Sequence, residues 1–368
     1  MIPVNEPLLT EADFASVMEA LRSGWISGAG PHVEAFESRW AAYCGRKHGV
    51  ALANGSVALQ VAVALLDLRP GDEVIMPTFT IISCAVPIVL AGAKPVLVDA
   101  GPETWTMDVR QVESRITSRT RAIMAVHIYG HPVDMDPLLD LAARHGLQVV
   151  EDAAEAHGAE YRGRRVGSLG ASSCFSFYAN KLVTTGEGGM LLVDDDRLAE
   201  RARGLRNLGF QPDRRFLHAD LGFNFRLTNL QAALGLAQIE RMDEIVSRKR
   251  RIGQAYTERL SEMPCLALQV QQPWARSVYW MYGVVLHEDT GLGAADFARR
   301  LKLRGVETRP FFLGMHEQPV LRERGLFLGE SYPVAERIAR QGLYLPSGVG
   351  LNEAHIDHVC EAVREALT

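Results

Sequence analysis

From about Lys47 to Val193 the chain alternates between two hydrophobic patterns. Short runs rich in β-branched and aliphatic residues (HGVALA, DEVIMP, KPVLVD, AIMAVH, LQVVED, SCFSFY and GMLLVD) are apolar at successive positions. That is the pattern of strands buried on both faces. Between them lie SVALQVAVALLDL, ISCAVPIVLAGA and MDPLLDLAARHG, where apolar residues recur at helical spacing and a Gly or Pro marks the stop. The alternation predicts an α/β fold whose mostly parallel central sheet is covered by helices. It also directs the search for a ligand site to the carboxyl ends of the strands.

After Asn229 the pattern changes. LQAALGLAQIERMDEIVSRKRRIGQAYTERLSEM reads as one long, increasingly charged helical stretch that connects two parts of the molecule. Beyond Pro264 follow a strand (VYWMYGVVL), two helices (AADFARRLKLRG and VAERIARQG) and a closing amphipathic helix, EAHIDHVCEAVREALT. These predict a large α/β domain over 1–245 and a smaller C-terminal α+β domain over 246–368. With no repeat, low-complexity segment or Gly/Ser linker, the two parts are expected to share one rigid unit. Arg248 to Arg251 (RKRR) reads as a solvated helix face, and Trp274, Tyr279, Trp280 and Tyr282 as packing of the smaller domain, though one of them could line a substrate pocket.

A length of 368 residues is enough for two or three domains. With 39 basic and 44 acidic residues the net charge is −5, which argues against nucleic acid as a partner. Hydrophobic residues at 47% and charged residues at 23% exclude wholesale disorder. The best apolar run, Ile81 to Leu90, is too short to span a membrane, and the first residues lack the pattern of a secretory signal. Cys44, Cys84, Cys174, Cys265 and Cys360 are scattered, which predicts neither a disulfide framework nor a zinc site and fits the cytoplasm. No metal spacing links His127, His131 and His157, so structural hydrogen bonding is the expectation for them, and no metal is expected.

Chemistry concentrates at three places. Lys47, Lys249 and Lys302 lie in polar stretches and Lys94 precedes a proline. Lys181, by contrast, follows the apolar CFSFYAN and precedes a Gly-rich turn. A desolvated amine there would be nucleophilic, although a lysine snorkelling to the surface or paired with a carboxylate fits the same position. Asp152 follows the strand LQVV, at a carboxyl end, where it could serve chemistry or cap the next helix. Gly55 and Ser56 stand between a strand and a helix, a phosphate cradle or an ordinary N-cap. Together a lysine, an aspartate for a ring nitrogen and a helix N-terminus are the parts that hold pyridoxal phosphate. No GxGxxG turn or GxSxG elbow competes.

With WISGAGPHVEAFE, NGSVALQ, PGDEVIMPTFT, VHIYGHPVDMDP, EDAAEAHGA, FSFYANKLVTTGEGG, LGFNFRLTNLQAALGLAQ and RPFFLGMHEQP in order, the sequence resembles the DegT/DnrJ/EryC1/StrS sugar aminotransferases along essentially its whole length. The resemblance implies a fold-type I pyridoxal-phosphate transferase, like aspartate aminotransferase, with pyridoxal 5′-phosphate bound covalently at Lys181. It implies Asp152 at the pyridine nitrogen and Glu155, where most relatives carry Gln, near the phenolic oxygen. Gly55, Ser56, Val57 and Ser176 would hold the phosphate, and Asn224 would reach the phosphate of the other subunit in a homodimer with shared active sites. Ser27, Arg226 and His316 would border the substrate. The expected reaction moves the amino group of L-glutamate to a nucleotide-linked 4-keto-6-deoxy sugar, GDP-4-keto-6-deoxy-D-mannose foremost. Alternatives are another keto-sugar (another nucleotide sugar, a keto-octulosonate or a cyclitol) or a non-catalytic regulator of the same fold. One departure stands out: where relatives place an aromatic on the pyridine ring, PTFTII offers Ile81, with Phe79 as a possible substitute.

Overall fold

The computed structural model describes residues 1–211, 214–218 and 220–368. All seven predicted runs form strands of one sheet: β1 His48–Leu52, β2 Glu73–Pro77, β3 Lys94–Val98, β4 Thr120–Val126, β5 Gln148–Asp152, β6 Ser172–Ser176 and β7 Gly189–Val193. Their spatial order is β1-β7-β6-β5-β4-β2-β3. The strands from β6 across to β3 pair in parallel, and β7 runs antiparallel to both β6 and β1. Neighbouring positions along a strand bury in opposite directions. Val74, Met76 and Met124 join one apolar cluster, while Ile75, Ile123 and Ala125 join another across the sheet. This two-sided burial is why the runs are continuous rather than alternating.

The smaller C-terminal sheet is built from β8 Leu266–Leu268, β9 Tyr282–Leu286, β10 Arg309–Pro310 and β11 Gly342–Leu345, in the order β8-β9-β11-β10, all antiparallel. Its core includes Tyr256 and Leu260, Phe297 and Leu301, and Ile356 and Val363 of the closing helix Glu353–Leu367. Among the described residues no helix is long and apolar enough to cross a membrane.

Three local expectations are corrected, and one region that the sequence pattern leaves unassigned is filled. Two N-terminal helices, Glu11–Ser23 and Pro31–Cys44, precede β1. The long helical stretch is two helices, Asn229–Ile239 and Met242–Leu260. Arg241 lies at the break and pairs at 2.7 Å with Asp13, a fully buried carboxylate that also closes the capping box of the first helix. The run VYWMYGVVL becomes a strand only at Tyr282, because Val278 to Met281 cross over to the large sheet, where the Val278 amide donates to Gly130 O at 3.1 Å. There Gly130 is needed, since its φ is +94° and a Cβ would stand 2.8 Å from the Val278 side chain and 2.9 Å from Trp280 N. Lys249 is not solvated: it is 2% exposed, on the inner side of helix Met242–Leu260.

Candidate active site

The turn after β1 and the end of β6 meet at the phosphate-binding residues expected from sequence. A Cβ on Gly55 would stand 2.7 Å from Ser176 Cβ, so only glycine lets these two segments close up. Helix Gly55–Ala64 starts here, and its Asn54 cap accepts the Val57 amide at 3.0 Å. The intrahelical ladder has no acceptor for the amides of Gly55 and Ser56, which leaves those two donors at the positive end of the helix dipole. The Val57 amide is thus committed to the cap. The Ser56 hydroxyl lies 2.8 Å from the hydroxyl of Ser83, a residue the sequence did not single out.

Asp152 ends β5 and pairs in register with Cys174 of β6, two residues before Ser176. The strand pairing therefore sets the aspartate beside the phosphate end. Its Oδ1 accepts the Ala154 amide at 3.1 Å, and its Oδ2 accepts the Cys84 thiol at 3.0 Å. Each oxygen keeps a lone pair free for a further donor. Glu155 is buried and accepts the Tyr129 amide at 2.7 Å.

Lys181 follows β6, its amide donating to Tyr178 O at 2.9 Å. Burial holds its amine below the ordinary lysine value, against the opposing pull of the Glu155 and Asp152 carboxylates. The Glu155 carboxyl is pushed up by burial, with Lys181 and the Tyr129 amide opposing and Asp152 adding to the rise. So the three groups share one desolvated electrostatic set. The Lys181 Nζ stands 3.7 Å from the ring centroid of Trp280, whose Nε1 donates to Asn180 O at 2.8 Å. Trp280 is thus at the candidate centre as well as in the core; no local sequence signal marks it.

Phe79 is committed elsewhere, 1% exposed among Tyr129, Phe311 and Phe312 at 5.7–6.1 Å between ring centroids. Ile81 is 43% exposed at the start of a short 3₁₀ turn, Ile82–Cys84. The donor set fits pyridoxal 5′-phosphate: a depressed lysine amine, a carboxylate with spare acceptor capacity, and two helix-terminal amides beside serine hydroxyls.

The remaining expected residues fall at two further places; the Leu52–Arg226 bridge, with the Ala53 amide donating to Phe225 O at 2.8 Å, sets the first beside the turn after β1. Ser27, Asn224 and Arg226 line a cleft of about 1290 Å³ together with Arg206 and Asn207, and Lys181 is not part of its wall. Arg226 donates to Asn207 Oδ1 at 2.7 Å, and its stem packs so closely on Gly28 that a Cβ there would be 2.8 Å away. His316 is buried, its Nδ1 at 2.8 Å from Thr78 Oγ1 and its Nε2 at 3.2 Å from Glu336 Oε1, so it meets a sugar only by exchanging one of these bonds. His127 lies 3.2 Å from Glu151 and accepts the Val133 amide at 3.0 Å, a structural arrangement. Among the described residues no cluster of three His, Cys, Asp or Glu is placed to hold a metal.

Comparison with known proteins finds relatives along the whole chain. GDP-perosamine synthase from Caulobacter vibrioides is 43% identical over 370 residues, covering 100% of this chain and 98% of that protein. The dTDP-3-amino-3,4,6-trideoxy-alpha-D-glucose transaminase of Streptomyces venezuelae is 39% identical over 362 residues, covering 98% of this chain and 93% of that one. The crystal structure of the aminotransferase TlmJ from Streptoalloteichus hindustanus matches with a TM-score of 0.92 and 32% identity, covering 100% of this chain and 99% of the other. Residues 7–364 match the family profile, and the chain belongs to the DegT/DnrJ/EryC1/StrS aminotransferase family.

Proposed function

We propose that this aminotransferase moves the amino group of L-glutamate to C4 of GDP-4-keto-6-deoxy-D-mannose, giving 2-oxoglutarate and GDP-perosamine. It depends on pyridoxal phosphate, as its family does. The observation that carries the chemistry is the shared electrostatic set of Lys181, Asp152 and Glu155 at the ends of β5 and β6. The choice of sugar rests on the 43% identity to the Caulobacter vibrioides enzyme.

In this reading the cofactor's protonated ring supplies the electron sink that makes the substrate Cα–H acidic. Lys181 would be the covalent anchor, and its released Nζ would be the base that takes the Cα proton and passes it to the cofactor's C4′. The Asp152 carboxylate keeps the proton on the ring nitrogen. Glu155, held by the Tyr129 amide, faces the phenolic oxygen. Gly55, Ser56 and Ser176 hold the phosphate through helix-terminal amides and hydroxyls, with the Val57 amide contributing only if it leaves the Asn54 cap. Burial lowers the proton affinity of the Lys181 amine, which favours its nucleophilic form, against the pull of Glu155 and Asp152.

The cleft lined by Ser27, Asn224 and Arg226 completes the partner's site in a homodimer, with Asn224 toward the cofactor phosphate and Arg226 toward an anionic group of the substrate. What supports this is that these residues share a wall that Lys181 of the same chain does not reach. His316 borders the sugar side from the loop after β10. The chain divides into a cofactor-binding part, 1–245, and a C-terminal part, 246–368, bridged by helix Met242–Leu260. The five free thiols fit a reducing cytoplasm.

The 39% identity to a dTDP-sugar transaminase favours a second reading, in which the acceptor is a dTDP-linked keto-sugar. Loading the protein with glutamate and offering each keto-sugar separates the two. The GDP sugar should restore the aldehyde form of the cofactor; restoration by the dTDP sugar alone would favour the second reading.

A further inference from the structure

Lysine and tryptophan meet in an arrangement that packing alone does not require. Trp280 is 4% exposed and is fixed at three points. Its indole Nε1 donates to Asn180 O at 2.8 Å, next to Lys181 in sequence. Its carbonyl accepts from the buried Lys249 Nζ at 2.9 Å, and the same Nζ donates to Ser347 O. The Ser347 hydroxyl adds a long contact to the Trp280 carbonyl at 3.5 Å. The result is an indole face held rigidly under one atom, Lys181 Nζ, 3.7 Å from the ring centroid.

An ammonium over an indole face is attracted by the ring quadrupole, whereas a neutral amine is not. We propose that Trp280 is the platform on which the Lys181 ammonium rests whenever that amine is released from the cofactor, and that Lys249 is the strut that keeps the platform in register. Both are positioning residues for the proton transfers of Lys181, and the inference rests on the reaction proposed above. When Nζ takes the substrate proton it gains a positive charge and the contact strengthens; when it passes that proton on, the contact weakens and the amine is free to move. The charged groups that face Lys181 are Glu155 and Asp152, whose carboxylates favour the ammonium. His157 also lies nearby and is held neutral by burial and by Lys181 itself. Lys249 Nζ is held by the Trp280 and Ser347 carbonyls rather than by the indole face, so it cannot take over the role. Its amine is pushed down to about 7 by burial alone, as expected of a strut with carbonyl partners and no carboxylate.

The test uses the full chain loaded with pyridoxamine 5′-phosphate, in which Lys181 is free. Competitive acetylation of the Lys181 peptide across pH, read by mass spectrometry, gives its titration midpoint. Trp280→Leu should lower that midpoint by about one unit, a tenfold loss of proton affinity. Trp280→Phe, which keeps an aromatic face, should shift it by less than half as much, and Lys249→Met should shift the midpoint in the same direction as Leu. The glutamate half-reaction of Trp280→Leu should lose about tenfold in kcat with KM nearly unchanged. An unchanged midpoint in a folded Trp280→Leu protein overturns the platform. Should that variant not fold, the indole N–H resonance of Trp280 in the native protein decides instead. It must titrate at the Lys181 midpoint and go flat in Lys181→Ala; a resonance already flat in the native protein overturns the proposal. Failure of the underlying reaction would look different, because borohydride would then leave no cofactor mass on the Lys181 peptide.

Discussion

The thiol of Cys84 donates to Oδ2 of Asp152 at 3.0 Å, from a side chain that is itself fully buried. Burial and the neighbouring carboxylate push that thiol well above its ordinary value, so it stays a donor throughout the working pH range. Together with the Ala154 amide on Oδ1, it fixes the plane of the carboxylate. Replacing Cys84 with Ala should lower kcat/KM by about 3- to 10-fold, the effect of one hydrogen bond, while Cys84→Ser should preserve it. Asp152→Asn should lose roughly 10²–10⁴-fold, because the ring nitrogen then has no anionic partner. Steady-state kinetics on the three variants check the order.

Ile81 is an aliphatic, 43% exposed side chain at the position where the sequence resemblance leads one to expect an aromatic on the cofactor ring. Ile81→Phe should therefore bind pyridoxal phosphate about 3- to 10-fold more tightly, by the added ring contact. Dissociation of the cofactor, followed by its absorbance, measures this. Weaker binding would place Ile81 away from the ring.

Two buried histidines predict acid lability. Burial, with the Lys181 charge nearby, holds His157 down to about 3, and burial holds His131 down to about 4 against its bond to Pro132 O. Both lie below the unfolded value of about 6.5, so the unfolded chain binds more protons as pH falls. Their stabilising contribution is complete above pH ~6.5 and is lost progressively toward pH ~4 and then ~3. Between pH 6.5 and 5 each should cost about 2 kcal/mol. Urea midpoints should drop over that window, and His157→Phe, set among Trp40, Phe175 and Phe177, should remove about half of the slope.

The proposed sharing of active sites makes a prediction that no single-chain reading makes. Lys181→Ala and Asn224→Ala should each be nearly inactive alone. Unfolded together and refolded, they should recover about a quarter of native activity, through mixed dimers that carry one intact site. Absence of recovery would remove Asn224 from the partner's site.

What is legible in the sequence is what local burial dictates. All seven strands of the large sheet can be read, because both faces are covered and most positions are apolar. Lys181, Asp152 and the Gly55–Ser56 turn stand out by their place at strand ends. The break at Arg241 is not legible, since the helical period runs through it and only the distant Asp13 explains it. Lys249 illustrates a readable signal outweighed by its neighbours. Arg248, Arg250 and Arg251 suggest a wet face, yet Lys249 falls at helical spacing with Ile245, Ile252 and Tyr256, the buried stripe of the same helix. Trp280 reaches Lys181 only because Val278 to Met281 leave the small sheet, a long-range path that no periodicity records.

The central claim is a covalent bond between the ε-amine of Lys181 and pyridoxal phosphate, and it is tested most directly by reducing the holoenzyme with borohydride and mapping the adduct by peptide mass. The account predicts one cofactor mass, on the peptide containing Lys181, absent from Lys181→Ala. An adduct on Lys249 or another lysine, or no adduct on a protein that still transaminates, would contradict it.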